Sequence, residues 1–250
     1  MIIDEPAVVD DGPVPAVLFD LDGTLVDPAG GITGGIAHAL RVMDLPVPGP
    51  EVLNRMVGPK LADGLVGIVG VPEPLVPDVI AAYRSWYSLR GMAMSRVYPG
   101  IPELLGQLRA GGVRLAVATQ KPEALARTLL AHHGLADSFD VIRGSHTDES
   151  LMPGEPGYRA GKAEIIGSAL EWLGGQGRSI MVGDRHQDVN GARANGLDCI
   201  GVAWGFAPEG ELEAAGVAGV VQTAEELLQA VARELGTGMS AATEAAHGPV

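Results

Sequence analysis

The chain has 250 residues, of which 46% are hydrophobic and 19% are charged. Its 17 basic and 31 acidic residues give a formal net charge of −14 at pH 7, which argues against a nucleic-acid polymer or an anionic membrane as partner. The single cysteine, Cys199, excludes an internal disulfide framework and is typical of a reducing compartment. The first residues contain neither a basic segment nor a long apolar one, so we expect a soluble cytoplasmic protein.

Apolar segments that end in polar loops recur along the chain in the pattern of buried strands. They read AVLFD, RLAVATQ, DVIRGS, SIMVGD, CIGVAW and, more weakly, GVVQT, and helical patterns separate most of them. This alternation predicts right-handed βαβ units and a parallel sheet with helices on both faces. We therefore expect an α/β protein with a Rossmann-like, doubly wound sheet, formed by residues 14–27 and 98–235.

Residues 28–97 depart from the alternation, because helical patterns follow one another there without a convincing strand. This segment predicts an inserted helical domain directly after the first strand. Ligands of open α/β sheets bind beyond the carboxyl ends of the strands, so such an insertion would cover the site. We expect the acidic leader, 1–13, and the small polar tail, 236–250, to be disordered.

The first apolar segment ends in two carboxylates, Asp20 and Asp22, within AVLFDLDGTLVD. Carboxylates at the end of a buried strand repel each other and lose hydration, which costs free energy unless a cation, hydrogen bonds or a proton compensates. An EF-hand loop beginning at Asp20 would need glycine where Leu25 stands and glutamate where Gly31 stands. A calcium loop of that kind is therefore excluded.

A later segment, SIMVGDRHQD, carries two more carboxylates, Asp184 and Asp188, the second on the first turn of a helix. The carboxyl ends of parallel strands share one rim, which would bring these side chains to Asp20 and Asp22. Carboxylate oxygens collected in this way suit a hard divalent cation. The sequence thus predicts a Mg²⁺ site on this rim.

Two further strand ends carry residues suited to binding an anion. In AVATQKPEA, Pro122 fits the first position of a helix that Thr119 or Gln120 would cap. Exposed amides and a hydroxyl at such a helix start bind phosphate, and Lys162, at the start of the next helix, supplies a positive charge. A metal, a helix start, a hydroxyl and an ammonium around a free carboxylate indicate phosphoryl transfer to that carboxylate.

Together these features resemble the haloacid dehalogenase superfamily of phosphohydrolases. Its four motifs are present in order as DLDGTLVD, the threonine of VATQKP, Lys162 and GDRHQD, and the resemblance covers residues 14–229. It implies that Asp20 is the nucleophile that forms an aspartyl-phosphate. It also implies that Asp22 protonates the leaving oxygen and then deprotonates the hydrolytic water, and that Thr119 and Lys162 bind the phosphoryl oxygens.

The resemblance further implies a metal site with one main-chain ligand. Mg²⁺ would be held by the Asp20 carboxylate, the Asp22 carbonyl and Asp184, with Asp188 close by or ligating through water. The inserted helices are similar to the family's mobile cap, which closes over the site and selects the substrate. Within them Lys60 stands in the turn-like MVGPKLADG, where we expect either a substrate contact or a solvated surface position.

The exact residues of the first and third motifs indicate the class of substrate. Branches of the family that act on carbon–halogen bonds lack the second aspartate of the first motif, and those that cleave phosphonates usually replace it, so Asp22 favours phosphomonoesters. The third motif, GYRAGKAEIIGSAL, looks like a phosphoglycolate phosphatase-like or bacterial 5′-nucleotidase-like branch. We expect a Mg²⁺-dependent phosphatase of a small phosphorylated metabolite, with a nucleoside monophosphate placed ahead of a phosphoglycolate-like ester. A phosphosugar mutase and a non-catalytic phosphate-binding protein of the same fold remain alternatives.

Overall fold

The computed structural model describes residues 14–146, 161–174 and 177–236. The predicted leader, 1–13, lies outside the described residues, as does the predicted tail apart from Gly236. The strands of the described part are β1 Ala16–Phe19, β2 Val26–Asp27, β3 Arg96–Val97, β4 Arg114–Pro122, β5 Val141–Ser145, β6 Ser179–Gly183, β7 Asp198–Val202 and β8 Gly219–Val221. Its α-helices are α1 Gly31–Val42, α2 Pro50–Asn54, α3 Leu61–Gly64, α4 Val76–Trp86, α5 Met92–Met94, α6 Ile101–Ala110, α7 Glu123–His132, α8 Lys162–Leu173, α9 His186–Ala194, α10 Glu211–Ala215 and α11 Ala224–Leu235. No helix among these described residues is long and apolar enough to cross a membrane.

Six of the strands form one parallel sheet in the order β5-β4-β1-β6-β7-β8. Strand β1 lies in the middle, with Leu18 aligned to Ala116 of β4 and to Met181 of β6. The carboxyl ends of β1, β4 and β6 therefore meet on one rim of the sheet. The predicted fold class, an α/β core with a Rossmann-like, doubly wound parallel sheet, is confirmed.

Strand β1 is apolar throughout because both faces of the sheet are covered. Val17 and Phe19 pack in a hydrophobic cluster on one face, and Ala16 and Leu18 pack in a second cluster on the other. The alternation follows from the two-residue period of a strand. Full burial of a side chain such as Phe19 contributes roughly 1.5–3 kcal/mol, so this short segment fixes the strand that carries the two carboxylates.

Helices α1 to α5 lie between β2 and β3 and are called here the helical insertion, 31–94. They have a hydrophobic cluster of their own, in which Ile36, Leu40, Leu65 and Val79 are fully buried. Strands β2 and β3 pair antiparallel where the chain leaves and re-enters the core. The sequence indicated no strand at β3, since two residues are too few to produce an alternating pattern. The exact domain boundaries, before 28 and after 97, stay predictions.

Helix α7 begins at Glu123, one residue later than predicted, and no side chain caps it. Pro122 is the extended last residue of β4, with φ −51° and ψ 131°, and pairs with β5. The prediction that Thr119 or Gln120 caps this helix is therefore wrong, because pairing with β5 keeps the segment extended. Instead, the Thr119 hydroxyl oxygen accepts a hydrogen bond from the amide of Lys121 at 3.2 Å.

Candidate active site

The end of strand β1 delivers two buried carboxylates to the rim. The amide of Asp20 donates to strand β6 at 2.9 Å, which continues the pairing of the sheet. Leu21 is fully buried in the core cluster, so the two-residue period directs its neighbours, Asp20 and Asp22, away from that cluster. Gly23 turns the chain here with a φ of +93°, and a Cβ at this position would collide with the Asp184 carboxylate.

Three carboxylates form a buried cluster on this rim. Carboxylate oxygens of Asp20, Asp184 and Asp188 lie within 4.8 Å of one another, and all three residues are buried. The Lys162 ammonium lies 2.5 Å from Asp20 Oδ1 and 2.7 Å from Asp188 Oδ1. It also donates to the carbonyl of Ala118 at 2.9 Å. The ammonium therefore fixes two of the three carboxylates relative to strand β4.

Hydrogen bonds from the surrounding loops orient the other carboxylate oxygens. Asp184 Oδ2 accepts from the Phe206 amide at 2.7 Å, and Asp184 Oδ1 accepts from the Thr24 hydroxyl at 3.5 Å. Asp188 Oδ2 accepts from the amide of Arg185 at 3.0 Å, which satisfies a donor at the start of helix α9. Two main-chain amides and two buried side chains, Lys162 and Thr24, thus hold the cluster.

The cluster has more negative than positive charge. Burial raises the pKa of Asp184 well above its usual value, and the charges of Asp20 and Asp188 raise it further. Burial also raises the pKa of Asp188, although Lys162 opposes this. Burial lowers the pKa of Lys162, but its two carboxylate partners more than reverse that effect, so the amine stays protonated. Three oxygen-donor side chains and one ammonium leave an uncompensated negative charge, which fits a hard divalent cation.

The Asp22 carboxylate has a different environment from the cluster. Its Oδ2 lies 2.7 Å from the Lys121 ammonium, and the Asp22 and Lys121 side chains are only 9% and 6% exposed. The ammonium also lies 4.8 Å from the centre of the Tyr87 ring, which belongs to the helical insertion. Burial raises the pKa of Asp22 more than Lys121 lowers it. A carboxyl group in this setting is suited to carrying a proton.

Asp20 and Asp22 open into a cavity of about 70 Å³ between the core and the helical insertion. The core side is lined by Asp20, Asp22, Thr119, Gln120, Lys121, Pro122, Leu125 and Ser145. The insertion side is lined by Ile32, Met56, Gly58, Pro59, Lys60, Leu61, Tyr83 and Arg84. The core side of the cavity thus carries two carboxylates, and the insertion side carries two cationic side chains, Lys60 and Arg84.

The structure brings most of the predicted site residues to this cavity. Thr119, Gln120 and Lys60 all line it, whereas Lys162 contacts Asp20 outside the lining. The Gln120 side-chain oxygen is buried and has no hydrogen-bond partner among the residues that the structure describes. An acceptor in that state is available to a ligand.

Four polar residues of the lining were not predicted as site residues from the sequence. Ser145 ends strand β5, and Lys121 follows the predicted threonine by two residues, so the rule that sites form at strand ends could have found both. Tyr83 and Arg84 lie on helix α4 of the insertion. No motif marks them, because their position depends on how the insertion packs against the core.

The fold and the site define a class of protein. It has an α/β core, and a helical insertion covers the edge of the sheet that carries the carboxylates and the Lys162 ammonium.

The family model of haloacid dehalogenase-like hydrolases matches residues 17–202. The chain is 44% identical over 191 residues to the tyrosine-protein kinase PtkA of Mycobacterium tuberculosis, which covers 76% of this chain but 62% of that protein. It is 38% identical over 201 residues to a 5′-nucleotidase of Pseudomonas aeruginosa, covering 80% of this chain and 87% of that protein. It is 34% identical over 204 residues to a phosphoglycolate phosphatase of Rhodospirillum rubrum, covering 78% and 81%.

A solved structure, that of a predicted phosphatase from Clostridium acetobutylicum, is similar with a TM-score of 0.79 and 37% identity, covering 89% of this chain and 99% of that one. The chain belongs to the haloacid dehalogenase-like hydrolases. The resemblance found in the sequence motifs is confirmed.

Proposed function

We propose that the protein is a Mg²⁺-dependent phosphatase that hydrolyses a small phosphomonoester through an aspartyl-phosphate on Asp20. The observation that carries the proposal is the placement of Asp20. Its carboxylate is buried, contacts Lys162 at 2.5 Å and forms a wall of a cavity that it shares with Asp22 and Thr119. A nucleophile, a proton donor and a hydroxyl thus converge on one space.

In the first step a carboxylate oxygen of Asp20 attacks phosphorus. The bond from phosphorus to the ester oxygen breaks, and its electron pair leaves with that oxygen. The Lys162 ammonium orients the nucleophile and opposes the charge on the phosphoryl group. Because the Thr119 oxygen accepts the amide hydrogen of Lys121, its own hydroxyl hydrogen is available to a phosphoryl oxygen.

Asp22 serves both halves of the reaction. It gives its proton to the departing oxygen, so that a neutral alcohol leaves. It then takes a proton from the water that attacks the aspartyl-phosphate, which releases inorganic phosphate and restores the Asp20 carboxylate. Its position on the cavity wall and its buried carboxyl oxygen Oδ1, which has no hydrogen-bond partner among the described residues, support this role.

The acidic cluster supports the metal requirement. The Asp20, Asp184 and Asp188 carboxylates and the main-chain carbonyl of Asp22 would hold the cation. When bound, Mg²⁺ supplies the positive charge that lets an anionic ester approach an anionic nucleophile. The net charge of −14 makes such local compensation necessary.

The cavity favours a short leaving group that carries a second polar or negatively charged group. Lys60 and Arg84 place cationic side chains on the insertion side, opposite Asp20. A volume of about 70 Å³ corresponds to roughly two water molecules, at ~30 Å³ each, so either ester requires the insertion to move away, and the phosphoglycolate-like ester requires less movement than a nucleoside monophosphate. The phosphoglycolate-like ester is therefore placed ahead of the nucleoside monophosphate.

The identity to PtkA supplies a second candidate activity. In that case the phosphoryl group of a donor such as ATP would be transferred to a tyrosine hydroxyl and not to water. The chain spans only 62% of the length of the PtkA relatives, so the identity alone does not carry their activity over to this chain. The experiment below tests this activity directly.

The test is a phosphate-release assay of purified protein with Mg²⁺ or with EDTA, over phosphoglycolate, nucleoside monophosphates, sugar phosphates and p-nitrophenyl phosphate. We expect release with Mg²⁺, loss of release with EDTA and no turnover by Asp20→Asn, because an amide is a very poor nucleophile toward phosphorus. Steady hydrolysis by Asp20→Asn would exclude the covalent mechanism. Transfer of the γ-phosphate of ATP to a tyrosine peptide, without release from any ester, would favour the kinase activity.

A further inference from the structure

We propose that Arg185 is a positioning residue that holds the cavity-lining segment 56–61 of the helical insertion in place. The inference rests on the proposed function in one respect, since it takes the cavity as the place where the substrate binds. Arg185 follows Asp184 in the chain but does not line the cavity. Its side chain runs toward the insertion and is 5% exposed.

The guanidinium of Arg185 joins the core to the helical insertion. On the core side, Nε and Nη2 donate to the two carboxylate oxygens of Glu211 at 2.8 and 3.3 Å. On the insertion side, Nη1 donates to the carbonyls of Val57 and, at 3.4 Å, Arg55. A guanidinium is planar and presents its donors in a fixed fork, so anchoring it on Glu211 also fixes where Nη1 points.

The insertion is shaped to receive this side chain at Gly58. A Cβ at Gly58 would lie 2.8 Å from Arg185 Cγ, and its φ is +104°. Both the close approach and the backbone conformation therefore favour glycine. The preceding residue, Val57, is 1% exposed in the hydrophobic cluster of the insertion, so the carbonyl that Arg185 contacts is fixed to that cluster.

The contacted segment continues directly into the wall of the cavity. Met56 and the four residues from Gly58 to Leu61 line it, and Lys60 is among them. Val57 O, which accepts from Arg185, therefore lies between lining residues. A shift of this carbonyl moves the wall that faces Asp20, and with it the position of the Lys60 ammonium.

Hydrogen exchange of the substrate-free protein tests the contact without relying on activity. Peptides that cover 51–64 should exchange at least about tenfold faster in Arg185→Met, since a buried hydrogen bond to a charged group is lost. Gly58→Ala disturbs the same contact from the insertion side while leaving Arg185 and Glu211 intact, and should give the same change. The control is Arg109→Met, because Arg109 also donates to a carbonyl, that of Ser138 at 2.8 Å, but this contact is exposed and lies outside the insertion.

Kinetics then separate a positioning role from a general loss of structure. For the phosphoglycolate-like ester, Arg185→Met should raise KM about tenfold and change kcat by less than about threefold. Arg185→Lys should recover part of the loss, since an ammonium can reach one carbonyl but cannot form the fork.

Unchanged exchange at 51–64 in both Arg185→Met and Gly58→Ala would overturn the proposal, as would a loss confined to kcat. If Arg185→Met does not fold, Arg185→Lys decides the question, because it keeps the charge but loses the fork of donors. If the wild type hydrolyses no ester, the proposed function fails, and the exchange result still shows whether Arg185 holds the segment.

Discussion

The Lys121 ammonium lies 2.7 Å from Oδ2 of Asp22 and 4.8 Å from the centre of the Tyr87 ring. Asp22 belongs to the core and Tyr87 to the helical insertion, so one buried cation contacts both parts beside the cavity. The contact restricts the Asp22 carboxyl group at the place where the proposed mechanism needs a proton donor. Because Lys121 also contacts Tyr87, the orientation of the Asp22 carboxyl group depends on the position of the insertion.

Lys121→Met should therefore weaken proton transfer to the leaving group more than it weakens phosphoryl binding. We expect kcat/KM for alkyl phosphates to fall about 10²-fold, within the range of general acid–base effects. The loss for p-nitrophenyl phosphate should be at least tenfold smaller, since p-nitrophenolate leaves without a proton. Equal losses for both ester types would show that Lys121 binds the phosphoryl group and does not position Asp22.

Asp22→Asn tests the proton donor itself. The substitution should lower kcat for alkyl phosphates by ~10²–10⁴-fold and lower kcat for aryl phosphates less. A burst of aryl alcohol from p-nitrophenyl phosphate should remain visible in rapid mixing, because formation of the aspartyl-phosphate needs no proton there but its hydrolysis needs a base. A variant with no burst and with equal losses on both esters would remove Asp22 from the acid–base role.

The fold and the centre of the site could be read from the sequence because local patterns encode them. Apolar segments that end in carboxylates place Asp20 and Asp184 at strand ends, and a parallel sheet brings strand ends together. The strand-end rule could have placed Lys121 on the rim, but its pairing with Asp22 joins side chains that are 99 positions apart, which a local pattern does not encode. The wrong helix cap at Thr119 has a similar origin: pairing of β4 with β5 overrides a local capping preference.

Arg185 was missed for a different physical reason. A charged residue in a loop is most often solvated, and only its close approach to Gly58 and the anchor on Glu211 reveal that it is buried. The sequence contains each of these residues but not the distances between them. Sequence patterns therefore could not predict the contacts that residues of the core make with residues of the helical insertion.

Asp184→Asn should stabilise the protein when metal is removed. A carboxyl group whose pKa is higher in the folded than in the unfolded state makes the fold less stable as the pH rises between those two values. Burial and like charges raise the pKa of Asp184 in this sense, so in EDTA at neutral pH the variant should melt about 2–4 °C higher than the wild type. The difference should shrink as the pH is lowered, because the folded wild-type carboxyl, whose pKa is raised, then becomes protonated and loses its unfavourable charge.

The same pair of proteins reports on the metal. With Mg²⁺ the wild type should gain stability by binding, while Asp184→Asn should gain little, because an amide oxygen is a weaker ligand for a hard cation. Asp137→Asn is the control, because Asp137 is exposed and does not belong to the carboxylate cluster. A melting temperature in EDTA that falls for Asp184→Asn would contradict the charge excess described for the cluster.

Calcium should replace magnesium in binding but not in turnover. Ca²⁺ accepts more oxygen ligands at longer distances than Mg²⁺, which allows the Asp20 carboxylate to be engaged through both oxygens. We expect Ca²⁺ to raise the melting temperature, to compete with Mg²⁺ and to leave hydrolysis near background. Full activity in EDTA or in Ca²⁺ alone would contradict the magnesium assignment.

Lys60→Ala tests whether the insertion side of the cavity selects the substrate. If the ammonium meets a second anionic or polar group of the ester, kcat/KM for that ester should fall by an amount typical of a charged hydrogen bond, ~1.5–3 kcal/mol. Hydrolysis of p-nitrophenyl phosphate, which has no such group, should change by less than about threefold, as for a neutral surface substitution. Arg90→Ala is the matched control, because Arg90 is an exposed cation of the same insertion that does not line the cavity. Equal losses on both esters would place Lys60 in phosphoryl binding or in the stability of the insertion, and no loss on either would make it a solvated surface residue.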